Sequence, residues 1–168
     1  PSQAAAAMGG RSWDMEALVD RGDAEGGVIF ATGTENSGFS FYIFDNRLVF
    51  DYNFFGEHLV ARSHAELPTG PSTLTCQLRR SGKAGYVVLL VNQEEVGRME
   101  LPFVMRVISS VGPSVAYDHG SPVAFDYANR SDGFPFEGTL ESVTITLIET
   151  KKDPKNAEAQ ARAEMGRQ

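Results

Sequence analysis

The residues with the most chemistry to offer lie in one stretch, "SSVGPSVAYDHGSPVAFDY", at positions 109–127. It holds two carboxylates, an imidazole and two phenol rings, and it lacks the alternation of apolar and polar residues that marks the rest of the sequence. Carboxylates and imidazoles are common general acids, general bases and metal ligands in proteins. The stretch is therefore a candidate catalytic loop, metal site or sugar site, with a crossover between strands as the structural alternative.

The two aspartates of this stretch are candidate calcium ligands. Asp118 and Asp126 would join backbone carbonyl oxygens around a Ca²⁺ ion, because calcium prefers oxygen ligands. No EF-hand spacing accompanies them. A calcium site at these two residues is therefore an expectation that rests on residue type alone.

The aromatic residues of the same stretch point to sugar binding. Tyr117, Phe125 and Tyr127 are candidate platforms on which a sugar ring would stack. The candidate binding residues of the stretch are Tyr117, Asp118, His119, Asp126 and Tyr127. In the structural alternative, the aspartates cap turns and the aromatic side chains plug the edge of a sandwich. Taken on the residues alone, that alternative is favoured.

The sequence offers no catalytic residue. "CQLRR" (76–80) resembles the sulfatase motif Cys-x-Pro-x-Arg, whose first residue becomes formylglycine, but Leu78 replaces the proline. Cys76 also falls on the apolar face of a predicted strand, so we expect a buried, inert thiol. The three histidines, His58, His64 and His119, form no pair with metal-ligand spacing and accompany no serine nucleophile motif.

The elements that would position these residues are strands. "FSFYIF" and "RLVFDYNFF" are joined by Asp45-Asn46, a two-residue hairpin signal. Period-two alternation also marks "SWDMEALVD", "STLTCQL" and "GTLESVTITLI", and "YVVLLVN" suits a central strand. Many short strands without helical patterns between them predict an antiparallel β-sandwich.

Composition and charge limit the classes of function. The 168 residues are 42% hydrophobic and carry a net charge of −7, without a basic stripe. This excludes a nucleic-acid partner, which requires clustered lysine and arginine. No apolar run reaches the roughly 20 residues that cross a bilayer, so no membrane partner is expected.

The chain divides into three parts. Residues 1–10 are a predicted linker or tail, and residues 11–149 are the sandwich domain. Residues 150–168 are a charged C-terminal helix or tail, in which Asp153-Pro154 is the predicted start of the helix. The sequence starts at Pro1 without a signal peptide, and we expect it to be a piece of a longer protein.

Four phrases resemble, in the same order, the C-terminal region of the large bacterial arylsulfatases. They are "GGVIFATG", "GFSFYIFDNRLVFDYNFFG", "AYDHGSPVAFDY" and "FPFEGTLESVTITL", within residues 11–149. The matching positions are Tyr52 to Gly56, then Asp118, Gly120, Ser121, Pro122, Val123 and Tyr127, and then Phe134, Pro135, Phe136 and Gly138.

The resemblance implies a fold and a function. In that family the region is a β-sandwich appended to a catalytic domain, which carries the formylglycine, the calcium ligands and the sulfate-binding residues. None of those motifs occurs here. We therefore expect an all-β, two-sheet antiparallel jelly roll of the concanavalin or laminin-G type with a short C-terminal helix. It would be a non-catalytic accessory domain that packs on the sulfatase domain of the same chain, in the bacterial cytoplasm or periplasm. The alternative is a lectin-like carbohydrate-binding module.

Overall fold

Ten β-strands make up the regular structure in the computed structural model, which describes residues 8–106 and 112–148. The strands are β1 Ser12–Arg21, β2 Gly27–Thr34, β3 Ser37–Phe44, β4 Arg47–Phe54, β5 Glu57–Arg62, β6 Gly70–Ser81, β7 Ala84–Val91, β8 Glu94–Leu101, β9 Ser114–Val115 and β10 Thr139–Ile148. Sheet A has the order β10-β1-β6-β7-β8, and sheet B has the order β5-β4-β3-β2-β9. All of these strands pair antiparallel, so the predicted two-sheet antiparallel sandwich is confirmed.

The apolar alternation of the sequence becomes the inner core between the sheets. In β4, Leu48, Phe50 and Tyr52 point toward sheet A and are buried. From β1, the Trp13 ring stacks on Phe39 with 5.3 Å between ring centroids. Full burial of such side chains contributes roughly 1.5–3 kcal/mol each, so this layer is the main source of stability.

The predicted hairpin between β3 and β4 forms as expected. Asp45 and Asn46 both adopt positive φ, 53° and 63°, which a two-residue turn of this hand requires. The turn fixes the pairing of Phe44 with Arg47. That register places Tyr42, Val49 and Asp51 on the outer face of sheet B.

A second layer lies on that outer face. Residues 116–137, here called the covering segment, cross sheet B and bury its outward side chains. Its backbone is tied to β2, since Ala116 N donates to the Ile29 carbonyl (3.0 Å) and Val28 N donates to the Phe134 carbonyl (2.9 Å). The apolar residues of this outer layer are Val28, Ala31, Tyr42, Val49, Ala124, Tyr127 and Phe134.

The chain ends are only partly described. Met8, in the predicted linker, is buried in the inner core. The predicted C-terminal helix, and residues 109–111 of the stretch singled out above, lie outside the described residues. Within the described ranges, no helix is long and apolar enough to cross a membrane.

Candidate binding site

The buried side chain of Asp51 is the first of three anchors, that is, side chains whose hydrogen bonds hold the covering segment on sheet B. Its β4 position points outward, yet its side chain is fully buried because residues 123–127 lie over it. It accepts hydrogen bonds from Phe125 N (2.9 Å) and from Nδ1 of His58 on β5 (2.8 Å). Burial raises the pKa of Asp51, and these two donors offset part of that effect.

Asp118 and Tyr127 form a second anchor. Tyr127 Oη donates to Asp118 Oδ2 (2.6 Å), and Val123 N donates to the same oxygen (2.9 Å). The Tyr127 hydroxyl also shares a hydrogen bond with Ser40 Oγ on β3 (2.8 Å). Burial raises the pKa of the Asp118 carboxyl and that of the Tyr127 phenol.

Asp126 forms a third anchor, at the edge of sheet B. Both of its carboxylate oxygens accept from Arg62, at 2.6 and 2.9 Å, in a bidentate pair. Tyr42 Oη also donates to Asp126 Oδ2 (2.8 Å). This hydrogen-bonded pairing raises the pKa of Arg62, so the guanidinium stays charged.

The side-chain amide of Asn53, near the C-terminal end of β4, also holds the covering segment. Asn53 Nδ2 donates to the carbonyls of Glu35 (2.8 Å) and Val123 (2.9 Å), and Gly56 N donates to Asn53 Oδ1 (2.8 Å). The covering segment is thus held by buried polar side chains of β3 and β4 as well as by apolar contact. Satisfied buried networks of this kind hold one conformation.

The structure separates the predicted binding residues into two groups. Asp118 and Tyr127 are buried, at 3% and 1% exposure, so Tyr127 cannot offer a ring face to a sugar. This corrects its assignment as a stacking platform. Tyr117 is 46% exposed, and its ring lies 6.2 Å from the half-buried His119 ring. Asp126 is near the surface, although Arg62 and Tyr42 occupy its oxygens.

The calcium hypothesis stays a prediction. Among residues 8–106 and 112–148, no group of three or more His, Cys, Asp or Glu side chains is arranged to hold a metal ion. Asp118 and Asp126 already accept from protein donors. A calcium ion would have to compete with those donors for the same oxygens.

Cys76 occupies the position expected for an inert thiol. It is fully buried in the inner core, and burial raises its pKa well above the usual range. Arg80, four residues later, donates to the carbonyls of Gly10 (2.6 Å) and Gly82 (2.7 Å). The pair is thus part of the core and of the adjacent loops.

Phe125 and its neighbours form a group of exposed or partly exposed side chains on a backbone that is held by a hydrogen bond to a buried carboxylate. The Phe125 ring is 68% exposed, while its own backbone N–H is fixed to buried Asp51. The His58 ring lies 6.0 Å away in an edge-on arrangement, and the Arg62–Asp126 pair follows on the same strand edge. We call Phe125, His58, Arg62 and Asp126 the Phe125 site.

Sequence reasoning missed two members of the Phe125 site. The sequence gives His58 no metal-ligand or catalytic partner and does not single out Arg62, because the short strand "EHLVAR" has a weak pattern. The period of two along β5 was the available clue, since it places His58, Val60 and Arg62 on one face. That face is the outer one, opposite Asn53, Asp51 and Val49 of β4.

Comparison with known proteins identifies the fold. Domains LG4–5 of the mouse laminin α1 chain align with a TM-score of 0.58 and 13% identity, over 84% of this chain and 39% of that one. The fold is a laminin-G-like jelly roll. A SAP-like pentraxin from Limulus polyphemus (TM-score 0.49, 16% identity, 80% of this chain and 63% of that chain) is also similar. So is the binding domain of botulinum neurotoxin DC in complex with rat synaptotagmin II (0.47, 14%, 61% and 27%).

These likenesses concern the architecture alone. The jelly roll spans only 39% of the length of the laminin fragment. No protein-family model matches the chain, and no curated protein matches it in sequence. Because one fold hosts many functions, the function must be argued from the site.

Proposed function

We propose that this jelly roll is a lectin-like domain that binds carbohydrate at the Phe125 site. The observation that carries the proposal is the exposed Phe125 ring on an immobilised backbone. A ring whose backbone is already held in place loses less conformational entropy when a ligand stacks on it. A sugar ring offers a matching face of C–H groups.

The neighbours of Phe125 supply directional hydrogen bonds. Asp51 fixes His58 through Nδ1, and Nε2 has no hydrogen-bond partner within residues 8–106 and 112–148. The His58 side chain is 23% exposed, and that of Arg62 is 42% exposed. An apolar platform with a few fixed polar groups is the usual composition of a small-molecule site.

A glycan array tests the proposal with the full chain. We expect binding of at least one glycan class that is lost in Phe125→Ala while the melting temperature changes little. The matched control is Phe55→Ala, because Phe55 is also exposed (76%) but lies at the β4–β5 turn. Silence across a broad array, or equal loss in both variants, would contradict the proposal.

A second candidate rests on the resemblance to bacterial arylsulfatases. "YNFFG" leads to an exposed aromatic cluster, in which Phe54 stacks on Phe103 at 5.3 Å and contacts Phe55 at 4.9 Å. Phe55 and Phe103 are 76% and 52% exposed, which suits contact with another domain. As an accessory domain, this segment would pack on a sulfatase domain through that cluster.

The accessory role predicts a Cys-x-Pro-x-Arg motif upstream in the same open reading frame. It also predicts that the 168-residue chain alone does not turn over a chromogenic sulfate ester. An open reading frame without that motif would remove the second candidate. Carbohydrate binding at the Phe125 site is compatible with either outcome.

A further inference from the structure

The charges of the Phe125 site are matched within the site. His58 faces the buried carboxylate of Asp51, with Nδ1 to Oδ1 at 2.8 Å. Arg62 faces Asp126 through two hydrogen bonds. Each basic side chain thus has its own carboxylate, and no uncompensated cation remains for an anionic ligand among these four residues.

The surroundings of the Phe125 site add negative charge. Beyond Asp126, which belongs to the site, the covering segment carries Asp118, Glu137 and an Arg130–Asp132 pair (2.6 Å) whose charges cancel. Arg47, on the same face of β4, donates to the neutral Ser63 carbonyl (3.2 Å), so it keeps one positive charge beyond the Arg62 end of the site. Glu57, beside His58, is exposed. At the His58 end of the site a sulfated or uronic ligand would meet the like charge of Glu57, which is costly at an interface.

We infer that the ligand of the Phe125 site is an uncharged saccharide. This inference rests on the proposed function and names its ligand class. Because Asp51 holds Nδ1 of His58, Nε2 is the ring nitrogen that can form a hydrogen bond with a sugar hydroxyl. The free N–H groups of Arg62 offer donors to a second hydroxyl.

The distance between His58 and Arg62 along β5 indicates the length of this ligand. His58 and Arg62 lie four residues apart on one strand, about 13 Å at roughly 3.3 Å per residue. Phe125 stands at the His58 end, and Asp126 at the Arg62 end. This spacing suits a disaccharide unit laid along β5, with one ring on Phe125 and the other at the Arg62–Asp126 pair.

The test compares the same oligosaccharide backbone in neutral, sulfated and uronic forms. We expect the neutral form to bind wild type about tenfold more tightly than either charged form, because a charged form pays for unmatched negative charge. His58→Gln should weaken binding of the neutral form. Affinity for the neutral form should change little between low and moderate salt.

Two aspartate variants form a matched pair. Asp126→Asn frees Arg62 inside the site, so the preference for the neutral form should shrink or reverse. Asp132→Asn frees Arg130 from a similar two-point pairing outside the site, so the preference should stay as in wild type. Melting temperatures of both variants show whether the fold is retained.

The outcomes separate the two proposals. Phe125-dependent binding that favours sulfated or uronic forms, and that falls with salt, would overturn the neutral-saccharide inference and leave the binding function standing. An unchanged preference in Asp126→Asn would also count against it. Absence of Phe125-dependent binding to any form would overturn both.

Discussion

The Tyr127 hydroxyl lies 2.6 Å from Asp118 Oδ2, and both side chains are buried between the covering segment and sheet B. The contact joins two residues of the predicted binding stretch to each other and, through Ser40, to β3. Two residues that the sequence suggests as ligand contacts thus hold the segment in place. The residue that they help to present, Phe125, is the exposed one.

Removing the Tyr127 hydroxyl should destabilise the fold. Tyr127→Phe keeps the ring but leaves Asp118 without its shortest hydrogen bond in a buried position. We expect a loss of roughly 1–3 kcal/mol in the free energy of unfolding, measured by urea denaturation. Tyr117→Phe is the control, since Tyr117 is 46% exposed and should change stability by less than about 0.5 kcal/mol. Equal effects in the two variants would contradict the assignment.

The pH dependence of stability should reveal the buried Asp118 carboxyl. Its pKa is raised in the folded state, so its contribution to stability is fully present below the unfolded value of about 3.8 and is lost as pH rises through the folded pKa. The difference in unfolding free energy between wild type and Asp118→Asn should therefore move in favour of wild type as pH falls from 7 to 4. A pH-independent difference would contradict the raised pKa.

Asp132 provides a control of opposite sign. The Arg130 pairing lowers the pKa of Asp132, so its contribution is present above the unfolded value and is lost as pH falls through the folded pKa. Any excess in the free energy of unfolding of wild type over Asp132→Asn should therefore disappear as the pH falls.

Gly27 should tolerate no side chain. A Cβ atom there would lie 2.3 Å from the Pro135 carbonyl oxygen, and φ is +121°. We expect Gly27→Ala to cost at least about 2 kcal/mol and to speed hydrogen exchange of the Phe125 amide, because the covering segment must shift. Gly82→Ala separates the strain of a positive φ from the clash with Pro135. Gly82 also has positive φ (+64°), but a Cβ atom there would meet no atom within 4 Å. It should cost roughly 1 kcal/mol and leave Phe125 exchange unchanged.

Calcium should not shift the melting temperature. Asp118 and Asp126 already accept hydrogen bonds from Tyr127, Val123 and Arg62, so an ion gains few vacant oxygens. Thermal unfolding with calcium, magnesium or EDTA measures this. A calcium-specific rise that EDTA reverses and Asp118→Asn abolishes would instead support the calcium hypothesis.

Alternation was sufficient to predict the inner core. Leu48, Phe50 and Tyr52 are large, apolar and two residues apart, so one face of β4 had to be buried. The same reasoning failed for the opposite face. Asp51 sits between them and would ordinarily face water, yet it is 0% exposed. A second layer over a sheet leaves no periodic signal when polar side chains make its contacts.

The sequence predicted two of the four residues of the Phe125 site. Phe125 and Asp126 stood out as members of an irregular stretch, whereas His58 and Arg62 lie more than sixty residues earlier. Their pairing with the stretch depends on the order of strands in sheet B, which places β5 at an edge. Strand order follows from long-range packing, and spacing along the chain does not encode it.

The hydrogen bonds of the covering segment also bear on how the protein folds. Three of them, Asp51–Phe125, Tyr42–Asp126 and Ser40–Tyr127, join positions 74, 84 and 87 residues apart. Such distant contacts form slowly, and during synthesis the segment emerges after β2 to β5. Until it docks, the outer face of sheet B presents a carboxylate, an amide and hydroxyl groups to water. The same face then also exposes the apolar side chains of Val28, Ala31, Tyr42 and Val49, so a chain that stalls before the covering segment is made should be prone to aggregate.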